Sequence, residues 1–227
     1  SVGLLDADIY GPNLPDMLGV HERPKNDGKR IFPVMAHGLQ TISMGYLVDP
    51  DKAMIWRGPM ISGALIQLVE QTAWDNLDFL ILDLPPGTGD VQLTLAQKVP
   101  VTGSIVVTTP EKVALSDAQK ACAMFDKVNI PVLGLVENMS YFVCDGCDKR
   151  HAIFAQGGAK ALADRLSKPL FAEIPILPSI SDAGEKGAPF VTQYPDHAVT
   201  RLYRDIAKQC CDALSHFKPA HRVNEER

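Results

Sequence analysis

Residues 79 to 90 read FLILDLPPGTGD. The apolar run at 79–82 marks a strand buried on both faces, because a half-exposed strand would alternate apolar with polar. The run ends on a carboxylate, Asp83. It then passes at once into Pro85, Pro86, Gly87 and Gly89, a loop stiff at one end and permissive at the other. Working outward, further short apolar runs lie at 2–5, 41–47, 104–108, 132–136 and 170–174. Between and after them, apolar residues recur at helical spacing over 60–72, 110–128, 157–166 and 196–217. Strand and helix in alternation predict an α/β fold, a mostly parallel β-sheet with helices on both faces.

That architecture directs attention to the residues that follow strands, because ligands of open α/β sheets sit beyond the carboxyl ends of the strands. Here those residues are Asp6 and Asp8, Asp83 to Gly87, Thr109-Pro110 and Glu137-Asn138-Met139. A carboxylate that ends a core strand beside a glycine-rich turn is the Walker B arrangement of nucleotide-hydrolysing folds, in which it holds Mg²⁺ near the β- and γ-phosphates. The plainer alternative is an acid capping the next helix, a task for which Asp90, just before Val91, is better placed. Asp6 and Asp8 read either as solvated turn acids or as groups that orient water or bind Mg²⁺ through water.

The 227 residues are 46% hydrophobic and 22% charged, with a formal net charge of -5. A chain of this kind is long enough for one buried α/β core or two small domains. The charge excludes a global basic field for nucleic acid or an anionic membrane. No stretch approaches the roughly 20 apolar residues of a membrane span. The five cysteines, an odd number, read as reducing cytosol rather than a secreted disulfide framework. Cys122 and Cys210 fall on apolar helix faces and are expected to be small core hydrophobes; Cys211 points elsewhere. Cys144-Asp-Gly-Cys147 has the spacing for two thiolates on one metal or cluster, with Gly146 easing the turn. Structural zinc and 4Fe-4S clusters take four ligands. His151 is a possible third, and a two-fold dimer would bring two pairs together. Zinc, a cluster and a redox dithiol all remain open on spacing alone. The other histidines, His21, His37, His197, His216 and His221, show no metal spacing and read as surface residues.

The stretches LLDADIYGPNLPDMLGV, MIWRGPM, LDLPPGTGDVQLTLAQ and VLGLVENMS, followed by a C-x-x-C, resemble the Mrp/ApbC-type carriers of iron–sulfur clusters, from residue 1 to about residue 215. These belong to the deviant Walker A P-loop ATPases, with MinD and the nitrogenase iron protein. The resemblance implies a cytoplasmic homodimer that binds ATP and Mg²⁺, carries a labile 4Fe-4S cluster across its interface and passes it to apo-proteins. It implies Asp8 as the switch I acid that helps activate water, Asp83 as the Walker B acid, and 85–90, with Pro86 and Gly87, as switch II. It further implies that Asn138 reads the adenine edge, with backbone near Pro175 beside the base, and that Cys144 and Cys147 hold the cluster.

One departure stands out. No G-x-x-x-x-G-K-S/T loop occurs; Asp27-Gly-Lys29 and the glycines at 184 and 187 lack its pattern. The expectation is a single domain over 1–217, starting at the family's second strand, with a C-x-x-C loop at 141–154 and a polar tail at 218–227. Two rival functions remain: a zinc-bound, non-catalytic dimeric assembly module, and a MinD-like regulatory ATPase. The latter predicts an amphipathic membrane-binding C-terminus, whereas 216–227 has charges and no apolar face. Arg57 reads equally as a contact to nucleotide, to a partner subunit or to a local carboxylate.

Overall fold

The computed structural model describes residues 1–47 and 58–217. Trp56, Arg57, His221 and the tail expected at 218–227 lie outside the described residues. The described residues divide into two units, Ser1–Val99 with Asp182–Pro189, and Pro100–Ser181 with residues 190–217.

In the first unit, β1 (Val2–Asp6) is followed by α1 (Leu14–Leu18), β2 (Val34–Ala36), β3 (Leu39–Ser43), α2 (Gly58–Gln71), β4 (Phe79–Asp83) and α3 (Asp90–Lys98). The sheet order is β2-β3-β1-β4. β1 runs parallel to both neighbours, with Asp6 opposite Ser43 on one side and Asp83 on the other. The strand expected over 41–47 stops at Ser43, where the Ser43 hydroxyl accepts from Gly45 N–H and starts a short 3₁₀ turn over Met44–Tyr46. Hydroxyl capping of that kind competes with the strand ladder. β2 pairs antiparallel with β3 through a two-residue turn, His37-Gly38, both at positive φ (48° and 82°). That geometry matches the twist of a hairpin. The stripe on α2 is buried as its spacing predicts: Ile61, Leu65, Leu68 and Val69 are all core residues.

β4 is an edge strand of this sheet, with β1 its one partner strand among the described residues. Its outward positions leave Phe79 and Ile81 exposed. The doubly buried strand expected at 79–82 is therefore covered on one face only among the described residues.

The second unit contains β5 (Ser104–Thr108), α4 (Lys112–Lys127), β6 (Val132–Glu137), β7 (Phe142–Val143), β8 (Arg150–His151), α5 (Gly158–Leu166) and β9 (Leu170–Glu173), then α6 (Pro178–Glu185), α7 (Phe190–Gln193) and α8 (Ala198–Leu214). The later part of α6 is assigned to the first unit. The parallel sheet is ordered β5-β6-β9. All six residues of β6 are buried, as expected of a central strand covered by helices, and α4, α5 and α8 pack on it. Gly134 in this strand is required by packing: a Cβ there would lie 2.6 Å from the Phe171 ring. Cys122 is buried on α4 beside Ala118 and Phe125; Cys210 is half-buried and Cys211 exposed. The predominantly parallel α/β architecture agrees with the expectation. Among the described residues its strands fall into sheets of four, three and two strands.

Candidate functional site

The parallel pairing of β1 with β4 ends both strands at one level, with Asp6 opposite Asp83 and the Ala7 N–H donating to the Asp83 carbonyl at 2.8 Å. Three carboxylates are thereby gathered at the carboxyl edge of the first sheet, and each does something different. Asp6 is buried and structural. Its Oδ1 accepts from Asp8 N–H at 3.0 Å, and its Oδ2 accepts from the Ser43 hydroxyl at 2.9 Å and from Leu14 N–H at 3.4 Å. Burial raises its carboxyl above the ordinary range, and these donors hold it partly back. Asp8 lies two residues on, in the loop that Asp6 organises. Its Oδ1 receives Tyr10 and Gly11 N–H groups, an Asx turn that fixes the loop.

Asp83 is the open member of the three; no hydrogen bond engages its side chain among the described residues. The crowded surroundings raise its carboxyl, and the charges of Asp6 and then Asp8 push in the same direction. Like charges brought together at a strand end favour a divalent cation, which would relieve their repulsion. On that ground Asp83, with Asp8 beside it, suits Mg²⁺ delivered with phosphates. Yet among the described residues no group of three or more His, Cys, Asp or Glu side chains is arranged to hold a metal ion by itself.

Next comes the loop over 84–89, in which Gly87 takes φ 93°. Here the structure shows a residue that the sequence reading passed over. Gln92 is buried on α3, and its Nε2 donates to the carbonyls of Pro85 at 3.1 Å and Pro86 at 2.8 Å. One amide thus ties both prolines of the loop to the helix behind it. The hint in the sequence was a polar residue on the inward face of a helix that begins at Asp90, a position where a core residue is the default. The expected helix cap also shifts: Gly89 is the N-cap, and Asp90 is the first helical residue with no capping bond from its side chain. There its charge still favours the helix N-terminus. Gln92→Leu keeps the volume and removes the amide. It is expected to lower stability by about 1–2 kcal/mol and to speed amide exchange across 85–89, read by hydrogen exchange; unchanged exchange there would mean the latch lies elsewhere.

In the second unit, Asn138 follows β6 at the strand's carboxyl end. Its N–H donates to Thr108 O at 2.8 Å, and its side-chain oxygen accepts from Met139 N–H at 3.0 Å. Among the described residues no acceptor engages the amide nitrogen of its side chain. Pro175 follows β9 on the neighbouring segment and is half-buried. Ile174, just before it, donates to Glu137 O at 2.8 Å and accepts from Ser140 N–H at 2.9 Å, so Asn138 and Pro175 lie on two segments bonded side by side.

The two cysteines occupy the tip of the β7–β8 hairpin. Cys144 N–H donates to Lys149 O at 3.0 Å, and Cys144 O accepts from Asp148 N–H at 2.8 Å and Cys147 N–H at 3.3 Å. Asp148 takes φ 55° to close the turn. The Gly146 N–H, then the Cys147 thiol and the Cys147 N–H, hold the Cys144 thiol below the usual range. N–H groups aimed at sulfur favour the thiolate, the form that ligates metal. Cys147 is exposed. His151 sits in β8 opposite Phe142, and no third ligand joins the pair among the described residues.

Paired parallel strands that end in acids beside a proline–glycine loop suit an α/β fold that takes its ligand at the carboxyl edge of the sheet. Comparison with known proteins narrows this. The chain belongs to the ParA family described as NUBPL iron-transfer P-loop NTPase, whose model matches residues 1–211. It is 52% identical over 215 residues to the iron-sulfur cluster carrier protein of Escherichia coli K12, covering 94% of this chain and 58% of that one. It is 41% identical over 218 residues to an Arabidopsis thaliana protein named iron-sulfur protein required for NADH dehydrogenase, mitochondrial, covering 96% of this chain and 70% of that one. The chain thus spans about three fifths of the length of the bacterial relative. Among solved structures it resembles a nucleotide-binding protein from Archaeoglobus fulgidus in complex with ADP, at TM-score 0.71 and 32% identity over 82% of this chain and 74% of that one. The cell division ATPase MinD of Pyrococcus furiosus shares the fold, at TM-score 0.65 and 20% identity over 92% and 85%. No helix of the described residues is long and apolar enough to cross a membrane.

Proposed function

We propose that this chain works as an ATP-dependent carrier of iron–sulfur clusters in the cytoplasm, taking a labile 4Fe-4S cluster at a homodimer interface and passing it to apo-proteins. The observation that carries this reading is the hairpin tip at Cys144 and Cys147. Backbone N–H groups there favour a thiolate at Cys144, and the pair supplies two ligands where a cluster needs four. A second copy related by a two-fold axis would supply the other two. The cluster is cargo, so two thiolates from each copy suit a site that opens when the copies part.

The acids of the first unit are assigned to the phosphate end of ATP. Mg²⁺ held by Asp83 and the phosphates would neutralise charge on the transferring γ-phosphoryl group. Asp8 orients the attacking water, and Pro86 and Gly87 in the loop tied by Gln92 follow the presence or loss of the γ-phosphate. Asn138 and the backbone near Pro175 are assigned to the adenine. The reading requires a phosphate-binding loop, which these 227 residues do not contain. The edge of β4 beside Asp83, unpaired among the described residues and with Phe79 and Ile81 exposed, suits a further strand that carries it.

The test is reconstitution with ferrous iron and sulfide. The native protein is expected to absorb near ~400 nm and to bleach on reduction, as thiolate-bound iron does. Cys144→Ala and Cys147→Ala are each expected to abolish that band. Full stoichiometry in either variant would reject these ligands. A colourless protein with bound zinc would favour the non-catalytic assembly module.

A further inference from the structure

Glu137 is the last residue of β6 and is wholly buried. A lone carboxylate in such a place is costly to dehydrate, and an apolar residue of similar size would avoid that cost. This one is fully engaged. Its Oε1 accepts from the Ser140 hydroxyl at 2.5 Å, and its Oε2 accepts from Ala159 N–H at 2.9 Å, in the first turn of α5. A helix N-terminus and a hydroxyl together suit a buried negative charge.

These bonds tie together three segments that serve different purposes. The chain from Glu137 to Tyr141 is laddered to 174–176: Ile174 N–H to Glu137 O, Ser140 N–H to Ile174 O, and Ile176 N–H to Tyr141 O at 2.7 Å. Asn138 lies between the first two rungs and Pro175 between the last two. A bridge from Phe142 to Ile176 extends the ladder directly into the β7–β8 hairpin that carries Cys144 and Cys147. On its far side the hairpin returns through Arg150, whose guanidinium lies 4.2 Å over the Tyr141 ring. A cavity of about 130 Å³, lined by Ser140, Tyr141, Arg150, Gly157 and Glu173 among others, separates the hairpin from the strand ends and the start of α5. The hairpin is therefore anchored at its root through Ser140 and Tyr141, and the cavity lies beside that root. Met139, between Asn138 and Ser140, takes the left-handed conformation at φ 53°.

We propose that the Glu137–Ser140 bond is a positioning link that couples adenine occupancy at Asn138 and Pro175 to the geometry of the Cys144–Cys147 hairpin. The link rests on the assignment of those residues to base and cluster made above. It adds a route within the second unit, apart from the switch segments at Asp8 and 85–90. Coupling of this kind is reciprocal: whatever nucleotide does to the cluster's affinity, the cluster does to the nucleotide's.

The experiment measures binding of a fluorescent ATP analogue to the protein with and without a cluster reconstituted from ferrous iron and sulfide. In the native protein the two dissociation constants are expected to differ by about fivefold or more, the ordinary range of coupled sites. Ser140→Ala is expected to bring their ratio to within about twofold of one while leaving cluster stoichiometry unchanged, and Ser140→Thr, which keeps the hydroxyl, to restore it. Glu137→Gln should behave as Ser140→Ala if it folds. The alkylation rate of Cys144 provides a second readout that needs no nucleotide, and Ser140→Ala should change it severalfold. A native ratio of one, or a Ser140→Ala protein that keeps both the native ratio and the native alkylation rate, would overturn the link. Failure of the underlying reading shows separately, as a cluster that survives Cys144→Ala.

Discussion

Replacing Asp83 with asparagine is expected to lower nucleotide hydrolysis by roughly 100-fold or more and, at neutral pH, to make the nucleotide-free protein more stable. The two effects share one cause. Asp83 stands at the end of β4, level with Asp6 on β1, in surroundings that raise its carboxyl above the ordinary 3.8. An acid whose folded-state pKa lies above its unfolded value favours folding only while protonated. That contribution is complete below about pH 3.8, fades as pH rises through the raised value, and leaves the ionised group as a steady cost above it. Asparagine has no such cost. The gain in melting temperature of Asp83→Asn over the native protein should therefore be present at pH 7.5 and disappear as pH is lowered below 3.8. Asp6, also raised by burial, titrates in the same direction in both proteins. On the function proposed above, the lost activity follows from the same charge: an asparagine in that place would not balance Mg²⁺ beside a γ-phosphate. Stability and activity pulling apart at one residue is the ordinary mark of a functional group held against its own preference. No stability gain at pH 7.5 would show that the acids do not repel, and hydrolysis within tenfold of native would remove Asp83 from the chemistry.

Much of this arrangement was legible in the residues, for a physical reason. Parallel strands declare themselves as apolar runs, so 104–108 matches β5 residue for residue, with Ile105 and Val107 exposed among the described residues, and 132–136 falls one short of the fully buried β6. Long helices with wide apolar stripes were equally clear: α4 and α8 lie inside the expected spans. What was hidden was short or polar. β2 has three residues and turns through His37-Gly38, a pair that carries no Asn-Gly or Asp-Gly signal. α1 has five residues, with Pro15 among them. The β7–β8 hairpin has two residues a side and draws its order from the cysteine turn rather than from an apolar pattern. At the site, exposed or strand-ending polar residues were found, whereas the buried polar groups that hold them were not. Asp6 appeared as one of two similar acids, yet it supports the loop and Asp8 stands on that loop. Gln92 and Ser140 drew no notice, and Glu137 was noted only as part of a strand end. A buried polar side chain acts through its partners, and partners distant in sequence, such as Ser43 for Asp6 or Ala159 for Glu137, leave no local pattern.

Gly187 is expected to tolerate no side chain at all. It follows α6 at φ 62° and faces Gly19, which ends α1 at φ 64°. A Cβ on Gly187 would lie 2.3 Å from Gly19 Cα and 2.5 Å from Gly19 N, with Asp16 O at 3.1 Å. Every one of these atoms is backbone, so no flexible side chain can move aside. Two costs combine: the left-handed conformation, about 1 kcal/mol for an ordinary residue, and the overlap, about 1–3 kcal/mol where a packed contact must open. Gly28 separates them. It too has positive φ, 85°, and a Cβ there meets nothing within 4 Å. Gly28→Ala should therefore show the conformational cost alone. Gly187→Ala should lose roughly 2 kcal/mol more, or about 4–8 °C in melting temperature for a chain of this size. The consequence reaches the site. Gly19 closes the segment that begins at Asp8 and is pinned by Leu14 N–H on Asp6, so opening this contact loosens the loop that presents Asp8. Chemical denaturation of the two variants side by side makes the measurement, and equal losses would mean that the Gly19–Gly187 contact contributes nothing beyond backbone strain.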